Sequence, residues 1–202
     1  MSDSPGDHPE PPGDLGTRSP LLFTLATGQI LSRIPRQGQD AGYFGRTGGN
    51  RFDSPDKSYG VLYVGLDEHC AFIETFGQST GIRLITRKAL GDRHLVYLTT
   101  TDSLTLIDLA NTGGLARIGA DGRLLTGSHA VAQQWSAALR DHPARPAGIF
   151  YPARHDLARR ACALFDLPHN VLQLKNAGSL LDAIHARLLA DILGTYQFGL
   201  VD

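Results

Sequence analysis

Short runs of β-branched and aromatic residues recur along the chain and are bounded by glycine, proline, asparagine or aspartate. This pattern is typical of strands that end at turns. Helical segments lie among the runs without regular strand–helix alternation, and no Gly-x-Gly-x-x-Gly follows a strand, which argues against a doubly wound dinucleotide-binding fold. The sequence therefore predicts a compact single α+β domain with mixed or antiparallel sheets. Strands are predicted at 29–34, 61–64, 95–99, 104–109, 148–151, 161–165 and 171–174.

Three segments have the apolar periodicity of helices. Asp67 is a candidate N-cap of a helix that runs to about Phe76, since its carboxylate can accept a hydrogen bond from an N–H of the first turn. Ser128 is a candidate N-cap of a second helix. Ser179 precedes a third, whose apolar stripe is typical of core packing. The stripe consists of Leu180, Leu181, Ile184, Leu188, Leu189, Ile192 and Leu193.

The chain of 202 residues has the length of one domain. Residues 1–20 are rich in proline and polar residues, and they offer too little apolar surface to offset chain entropy. We therefore predict a disordered tail at 1–20 and a folded domain at 21–202. The Gly- and Pro-rich segment 35–59 is expected to fold partly over a ligand, because long structureless loops are uncommon unless they are functional.

Composition argues against several classes of partner. The formal net charge of −1 gives no basic excess of the kind that marks direct binding to nucleic acid. Neither a secretory leader nor an apolar run of bilayer length is present, so we expect a cytoplasmic protein with no membrane contact. Cys70 and Cys162 are predicted to be buried free thiols. The histidines have no zinc-site spacing, so no metal is expected.

One stretch of the chain combines residue types that suit a charged ligand. Arg51 starts an Arg-Phe-Asp motif, Tyr63 lies in the following strand, and Glu74 lies in the next predicted helix. Upstream arginines can bind a polyphosphate, and a lone carboxylate can stabilise a developing cation. The residues alone leave other roles open: Glu74 as a solvated helix glutamate, Tyr63 as a half-buried core residue, and Arg33 as the partner of a surface carboxylate.

A series of short motifs continues along the chain from this stretch. They are Arg-Phe-Asp at 51–53, Tyr-Gly-Val-Leu-Tyr at 59–63, Ala-Phe-Ile-Glu at 71–74, Leu-Thr-Leu-Ile-Asp-Leu at 104–109, Gln-Gln-Trp at 133–135, Gly-Ile-Phe-Tyr-Pro-Ala-Arg-His-Asp at 148–156 and Ala-Leu-Phe-Asp at 163–166. Taken in order, these motifs resemble the RES domain, a family of bacterial toxins. The resemblance covers about 29–174, most of the predicted domain.

The resemblance implies a fold related to the ADP-ribosyltransferase toxins. It also implies cleavage of NAD between nicotinamide and ribose, with phosphate or water as acceptor, so that NAD is a substrate and no resident cofactor is expected. The implied partner is an Xre-like antitoxin with a helix-turn-helix domain, which would contact DNA in place of this chain. A homo-oligomer stays open.

The family's pattern also assigns roles to individual residues. It places Arg33 in the NAD pocket, where a guanidinium suits the pyrophosphate, and Arg51 is a rival for that role. Tyr63 is expected to stack against nicotinamide. Glu74 is expected to stabilise the oxocarbenium-like state and to hold the ribose 2′-hydroxyl.

Ala153 stands where family members have the serine that gives the domain part of its name. The resemblance puts Ala153 and Arg154 beside bound NAD. It implies either a slow enzyme or one in which Arg154 or His155 covers the role of the hydroxyl. Ala153→Ser is then expected to raise NAD turnover. Two alternatives remain: an ADP-ribosyltransferase that modifies a macromolecule, and a weakened module that only binds NAD.

Overall fold

The computed structural model describes residues 9–79, 81–168 and 170–202. The strands are β1 (Leu22–Leu25), β2 (Ile30–Arg33), β3 (Val61–Gly65), β4 (Leu84–Thr86), β5 (Leu95–Thr100), β6 (Leu104–Asp108), β7 (Gly148–Pro152), β8 (Arg160–Phe165), β9 (Leu172–Gly178) and β10 (Gly199–Val201). The helices are α1 (Glu68–Phe76), α2 (Arg87–Gly91), α3 (Gly114–Ile118), α4 (Arg123–Thr126), α5 (His129–Arg140) and α6 (Ala186–Tyr196). None of the helices in these ranges combines the length and the apolar character that crossing a bilayer requires.

Eight of these strands form one sheet, in the order β1-β6-β7-β8-β3-β2-β5-β9. Neighbours in this sheet run antiparallel except β6 and β7, which are parallel. Strands β4 and β10 form a separate parallel pair. The predicted α+β class with a mixed, largely antiparallel sheet is confirmed, as is each predicted strand. The sequence missed β1, β4 and β10, which are three or four residues long and expose much of their surface.

Helices cover the sheet through separate apolar clusters. In α5, Trp135 and Leu139 are fully buried against strand residues such as Ile149. Helices α1 and α6 share a second cluster in which Phe72 and Ile192 are fully buried. Cys70 and Cys162 are both buried and free, as predicted. Because α1 is fixed by this packing, the opposite face of the helix has a defined position above the sheet.

The predicted helix starts have different outcomes. Asp67 does cap α1, since its Oδ1 accepts from the N–H of Cys70 at 2.7 Å. Ser128 precedes α5, but its side chain makes no capping hydrogen bond. The last helix begins at Ala186, not after Ser179. The Asp182 carboxylate closes a turn by accepting from the N–H of Ser179 at 2.9 Å, so the chain enters the helix later than the apolar pattern indicates. Ile184 of the predicted stripe is 84% exposed.

The prediction of a disordered tail is wrong for residues 9–20, while residues 1–8 lie outside the described ranges. Leu15, in a short 3-10 turn, is 4% exposed. The indole N–H of Trp135 donates to the carbonyl of Pro9 at 2.9 Å. A ring nitrogen of His142 lies 3.2 Å from the carbonyl oxygen of Arg18. The composition of residues 9–20 underestimates their order. Leu15 anchors the segment in the core, and α5 and the turn after α5 supply hydrogen-bond partners for its backbone.

Candidate functional site

The candidate site opens where two central strands separate. Strands β2 and β3 pair at Ser32 and Gly65, and this is the single register position found between them in the described residues. Continuing the antiparallel register would pair Arg33 with Val64 and Ile34 with Tyr63. Instead the strands diverge there, and these four residues line a cavity of about 390 Å³. Small-molecule sites commonly have volumes of about 300–1,000 Å³.

Helix α1 forms a second wall of this cavity with one of its faces. Its lining residues are spaced three or four apart, which places them on one side of a helix. The other side of α1 packs into the core through Phe72 and Ile73. Amphipathic packing therefore points the carboxylate of Glu74 into the cavity. The lining residues on this wall are Ala71, Glu74, Thr75 and, just beyond the helix, Gln78.

The Glu74 carboxylate is held by the segment that follows β7. Its Oε1 accepts a hydrogen bond from the backbone N–H of His155 at 3.3 Å. The imidazole of His155 also lines the cavity, and its Nε2 is buried without a hydrogen-bond partner among the described residues. A buried polar atom without a partner is costly and often marks a place for water or ligand.

Positive charge dominates the cavity wall. Its lining includes four arginines, Arg33, Arg51, Arg93 and Arg154, and Glu74 is the one carboxylate among the described lining residues. The wall thus has three formal positive charges in excess, although the whole chain has a net charge of −1. Guanidinium groups pair with phosphate through planar, bidentate hydrogen bonds. The cavity is suited to an anionic ligand, with one carboxylate available for a cationic part of it.

Backbone carbonyls tether three of these arginines, namely Arg33, Arg51 and Arg93. Arg33 Nη1 donates to the carbonyl of Ala41 at 2.6 Å. Arg51 Nη1 donates to the carbonyl of Gly127, at the end of α4, at 2.9 Å. Burial lowers the pKa of the Arg33 and Arg51 guanidinium groups, and the nearby positive charge of Arg154 lowers the pKa of Arg51 further. A bound anion would relieve this repulsion.

Tyr63 has two structural roles at the cavity. Its side chain is part of the wall. Its hydroxyl donates to Oδ1 of Asp53 at 3.0 Å and accepts from the N–H of Phe52 at 2.9 Å. Burial raises the pKa of the phenol well above its usual value. The hydroxyl is therefore committed to the loop that carries Arg51, which leaves the ring to contact a ligand.

The structure brings together five of the six residues that the sequence assigned to the site. Ala153 is the exception: it is fully buried in the core cluster that contains Phe52 and does not line the cavity. Its backbone N–H donates to the carbonyl of Arg159 at 3.0 Å. The predicted contact of Ala153 with NAD is not supported by this position. Beyond the end of β7 the chain bends at Arg154 and His155, and both of these residues line the cavity. The five residues that converge are Arg33, Arg51, Tyr63, Glu74 and Arg154.

Sequence reasoning missed several lining residues. Arg93 precedes β5, and it reaches the site because β5 pairs with β2. Its guanidinium donates to the carbonyl of Ile34 at 3.0 Å and lies over the ring of Phe76. Gln39 and Asn50 lie in the long loop, whose Gly- and Pro-rich composition was a signal for them. Within the described ranges, His, Cys, Asp and Glu do not form a group of three that could hold a metal ion.

Comparison with known proteins identifies relatives of this domain. The model of the RES domain matches residues 30–184. Among solved structures, a chain of the crystal structure of the M.tuberculosis MbcT-MbcA toxin-antitoxin complex superposes with a TM-score of 0.59 and 17% sequence identity, covering 83% of this chain and 92% of that chain. At this identity the likeness concerns the fold. Comparison with curated protein sequences gives no significant match.

Proposed function

The chain belongs to the RES domain family, and from this premise we propose that it is an enzyme that cleaves NAD between nicotinamide and ribose. One observation carries the proposal: a single carboxylate, Glu74, faces a cavity whose other charged groups are four arginines. NAD combines an anionic pyrophosphate with a ribosyl carbon that becomes cationic when nicotinamide leaves. The charges of the cavity complement both parts.

In the proposed complex, arginines hold the pyrophosphate of NAD. Arg51 and Arg154 are the stronger candidates, because their like charges disfavour each other until an anion binds between them. Arg33 and Arg93 extend the positive surface along β2 and β5. The fixed guanidinium groups neutralise the phosphates without a metal ion. Because the phosphates are held in place, the nicotinamide riboside is positioned as well.

The chemical step breaks the bond between C1′ of the ribose and the ring nitrogen of nicotinamide. The bonding electron pair goes to that nitrogen, which neutralises the pyridinium, and the ribosyl group becomes an oxocarbenium-like cation. Glu74 stabilises this cation, and the N–H of His155 keeps the carboxylate oriented. The ring of Tyr63 flanks nicotinamide. An oxygen of water or phosphate then bonds to C1′, and with water the released proton passes to solvent.

We further propose that the enzyme is a cytoplasmic toxin controlled by an antitoxin. The structural neighbour comes from a toxin-antitoxin complex, and an enzyme that destroys NAD needs a means of control. An Xre-like antitoxin is the proposed partner. It would supply the DNA contacts, since this chain's charge gives no basis for direct binding to nucleic acid.

Nicotinamide release from NAD tests the enzyme proposal. Glu74→Gln is expected to lower turnover by about a hundredfold or more, because the neutral amide cannot stabilise the ribosyl cation. Glu68→Gln is the matched control: Glu68 is on the same helix, accepts from the hydroxyl of Tyr97 at 2.8 Å and lies outside the cavity lining. This control is expected to keep turnover within about twofold.

Product analysis separates the related reactions. Free ADP-ribose indicates water as acceptor, and a 1-phosphorylated sugar indicates phosphate. Transfer of label from NAD to protein would instead show an ADP-ribosyltransferase. If folded wild-type protein released no nicotinamide, or if Glu74→Gln released it at the wild-type rate, the proposal would be wrong.

A further inference from the structure

We propose that Asp53 is a positioning residue that fixes Arg51 at the cavity. Arg51 lies in the long loop between β2 and β3, which contains no named helix or strand. A guanidinium on such a loop binds an anion well only if the loop is already ordered, because ordering it on binding would cost affinity. The carboxylate of Asp53, two residues after Arg51, supplies that order.

Asp53 is the centre of a hydrogen-bonding network that joins this loop to β3. Its side chain is fully buried. Oδ2 accepts from the N–H of Asn50 at 3.0 Å and from the hydroxyl of Thr47 at 3.2 Å. Oδ1 accepts from the hydroxyl of Tyr63 at 3.0 Å. The loop thus wraps around its own carboxylate. In sequence, Arg51 lies between Asn50 and Tyr63, which both donate to Asp53.

The donors around Asp53 are all neutral. None of the ion pairs found in the described residues includes Asp53. A buried carboxylate without a cation depends on its hydrogen bonds to offset desolvation. Any rearrangement of the loop would therefore break several of these bonds together, and the network favours one conformation.

Helix α5 holds the same loop from the other side. Gln133 Nε2 donates to the carbonyls of Gly48 and Asn50, at 2.8 and 2.9 Å. The hydroxyl of Ser136 donates to the carbonyl of Phe52 at 2.7 Å. Arg51 itself donates to the carbonyl of Gly127 just before α5. The backbone on both sides of Arg51 is fixed, so the direction of its guanidinium is set before a ligand arrives.

The inference deepens the proposed function and rests on it for the identity of NAD as the natural ligand. Its test uses inorganic pyrophosphate as the probe, with calorimetric measurement of Kd, because binding is measurable whether or not NAD is cleaved. Asp53→Asn is expected to weaken pyrophosphate binding about tenfold, since at least one donor that now faces a carboxylate oxygen would face an amide N–H. KM for NAD should rise by a similar factor, with a smaller change in kcat.

A double-mutant cycle distinguishes positioning from general loss of structure. In an Arg51→Ala background, Asp53→Asn is expected to change the Kd of pyrophosphate less than about twofold. The same substitution should lower the thermal stability in this background as much as it does in the wild type. An equal loss of affinity in both backgrounds would show that Asp53 does not act through Arg51. Absence of pyrophosphate binding by the wild type would also overturn the inference, whereas absence of NAD cleavage would overturn only the proposed function.

Asp56→Asn is the matched control. Asp56 is an exposed carboxylate of the same loop, outside the cavity lining, and its partners are Ser54 and Ser58. The Asp56→Asn variant is expected to leave the Kd of pyrophosphate unchanged. If Asp53→Asn does not fold, Tyr63→Phe replaces it in the cycle, because it removes one donor to Asp53 and keeps the ring. A several-fold weaker Kd that depends on Arg51 supports the inference, and an unchanged Kd contradicts it.

Discussion

The backbone N–H of His155 donates to Oε1 of Glu74 across 3.3 Å, which joins the chain after β7 to helix α1. The two residues are distant in sequence, and each is fixed by its own element. Glu74 is placed by the burial of Phe72 and Ile73, and His155 follows the central strand β7. The orientation of the carboxylate is therefore a property of the packed sheet and helix together.

His155→Phe tests the contribution of the imidazole separately from the backbone contact. The variant keeps the N–H that binds Glu74 and removes an Nε2 that is buried without a partner. We expect the free energy of unfolding to increase by about 1 kcal/mol, because an unsatisfied polar atom is lost. Urea unfolding measures this change. A decrease in stability would show that Nε2 has a partner in solution, and a tenfold loss of NAD turnover at raised stability would show that the ring contacts the substrate.

Leu15→Ala tests whether the segment before β1 is part of the fold. Leu15 is 4% exposed, so its truncation should lower the free energy of unfolding by about 2 kcal/mol. Leu157→Ala, at a position that is 67% exposed, is the control and should change it by no more than about 0.5 kcal/mol. Equal stabilities of the two variants would mean that residues 9–20 do not contribute to the domain.

The buried thiols predict a loss of stability in alkali. Burial raises the pKa of Cys70 to about 12, and it raises the pKa of Cys162 as well. An unfolded thiol has a pKa of about 8.5. Above that pH the unfolded chain binds fewer protons than the folded one, so the free energy of unfolding should fall, by about 2 kcal/mol per thiol between pH 8 and pH 10.

Cys70→Ala provides the check on this alkaline effect. The variant starts from a lower stability at pH 8 because a buried atom is lost. Between pH 8 and pH 10, its free energy of unfolding should fall less than that of the wild type, and the difference is the contribution of one thiol. Urea unfolding at the two pH values gives both numbers. An identical decrease in the variant and the wild type would assign the pH dependence to other groups.

Ala153→Ser addresses the alanine at the position of the family's serine. The resemblance to the family predicts that the hydroxyl would raise NAD turnover. Because Ala153 is fully buried and outside the cavity lining, we now expect turnover within about twofold of the wild type and a loss of about 1 kcal/mol in stability from burying a hydroxyl. Nicotinamide release and urea unfolding are the measurements. A rise of tenfold or more would show that the hydroxyl reaches Glu74 or the ligand.

Local features of the chain were sufficient to predict much of the fold. The strands that line the cavity contain alternating or continuous apolar residues, and α1 begins directly after Asp67, whose side chain accepts from an N–H of the first turn. Arg33, Arg51 and Glu74 could be named because their residue types, in that order along the chain, match a family pattern. Apolar patterns, capping residues and the order of motifs can all be read along the chain without knowledge of the tertiary contacts.

Long-range packing decided the rest. The cavity exists because β2 and β3 separate after Ser32 and Gly65, and no local pattern encodes where two strands stop pairing. Arg93 joins the site only through the pairing of β5 with β2. Ala153 turns into the core although both of its neighbours line the cavity. The sequence by itself determined which residues could do the chemistry, whereas the tertiary structure decided which of them meet, because the packing of distant elements sets the direction of each side chain.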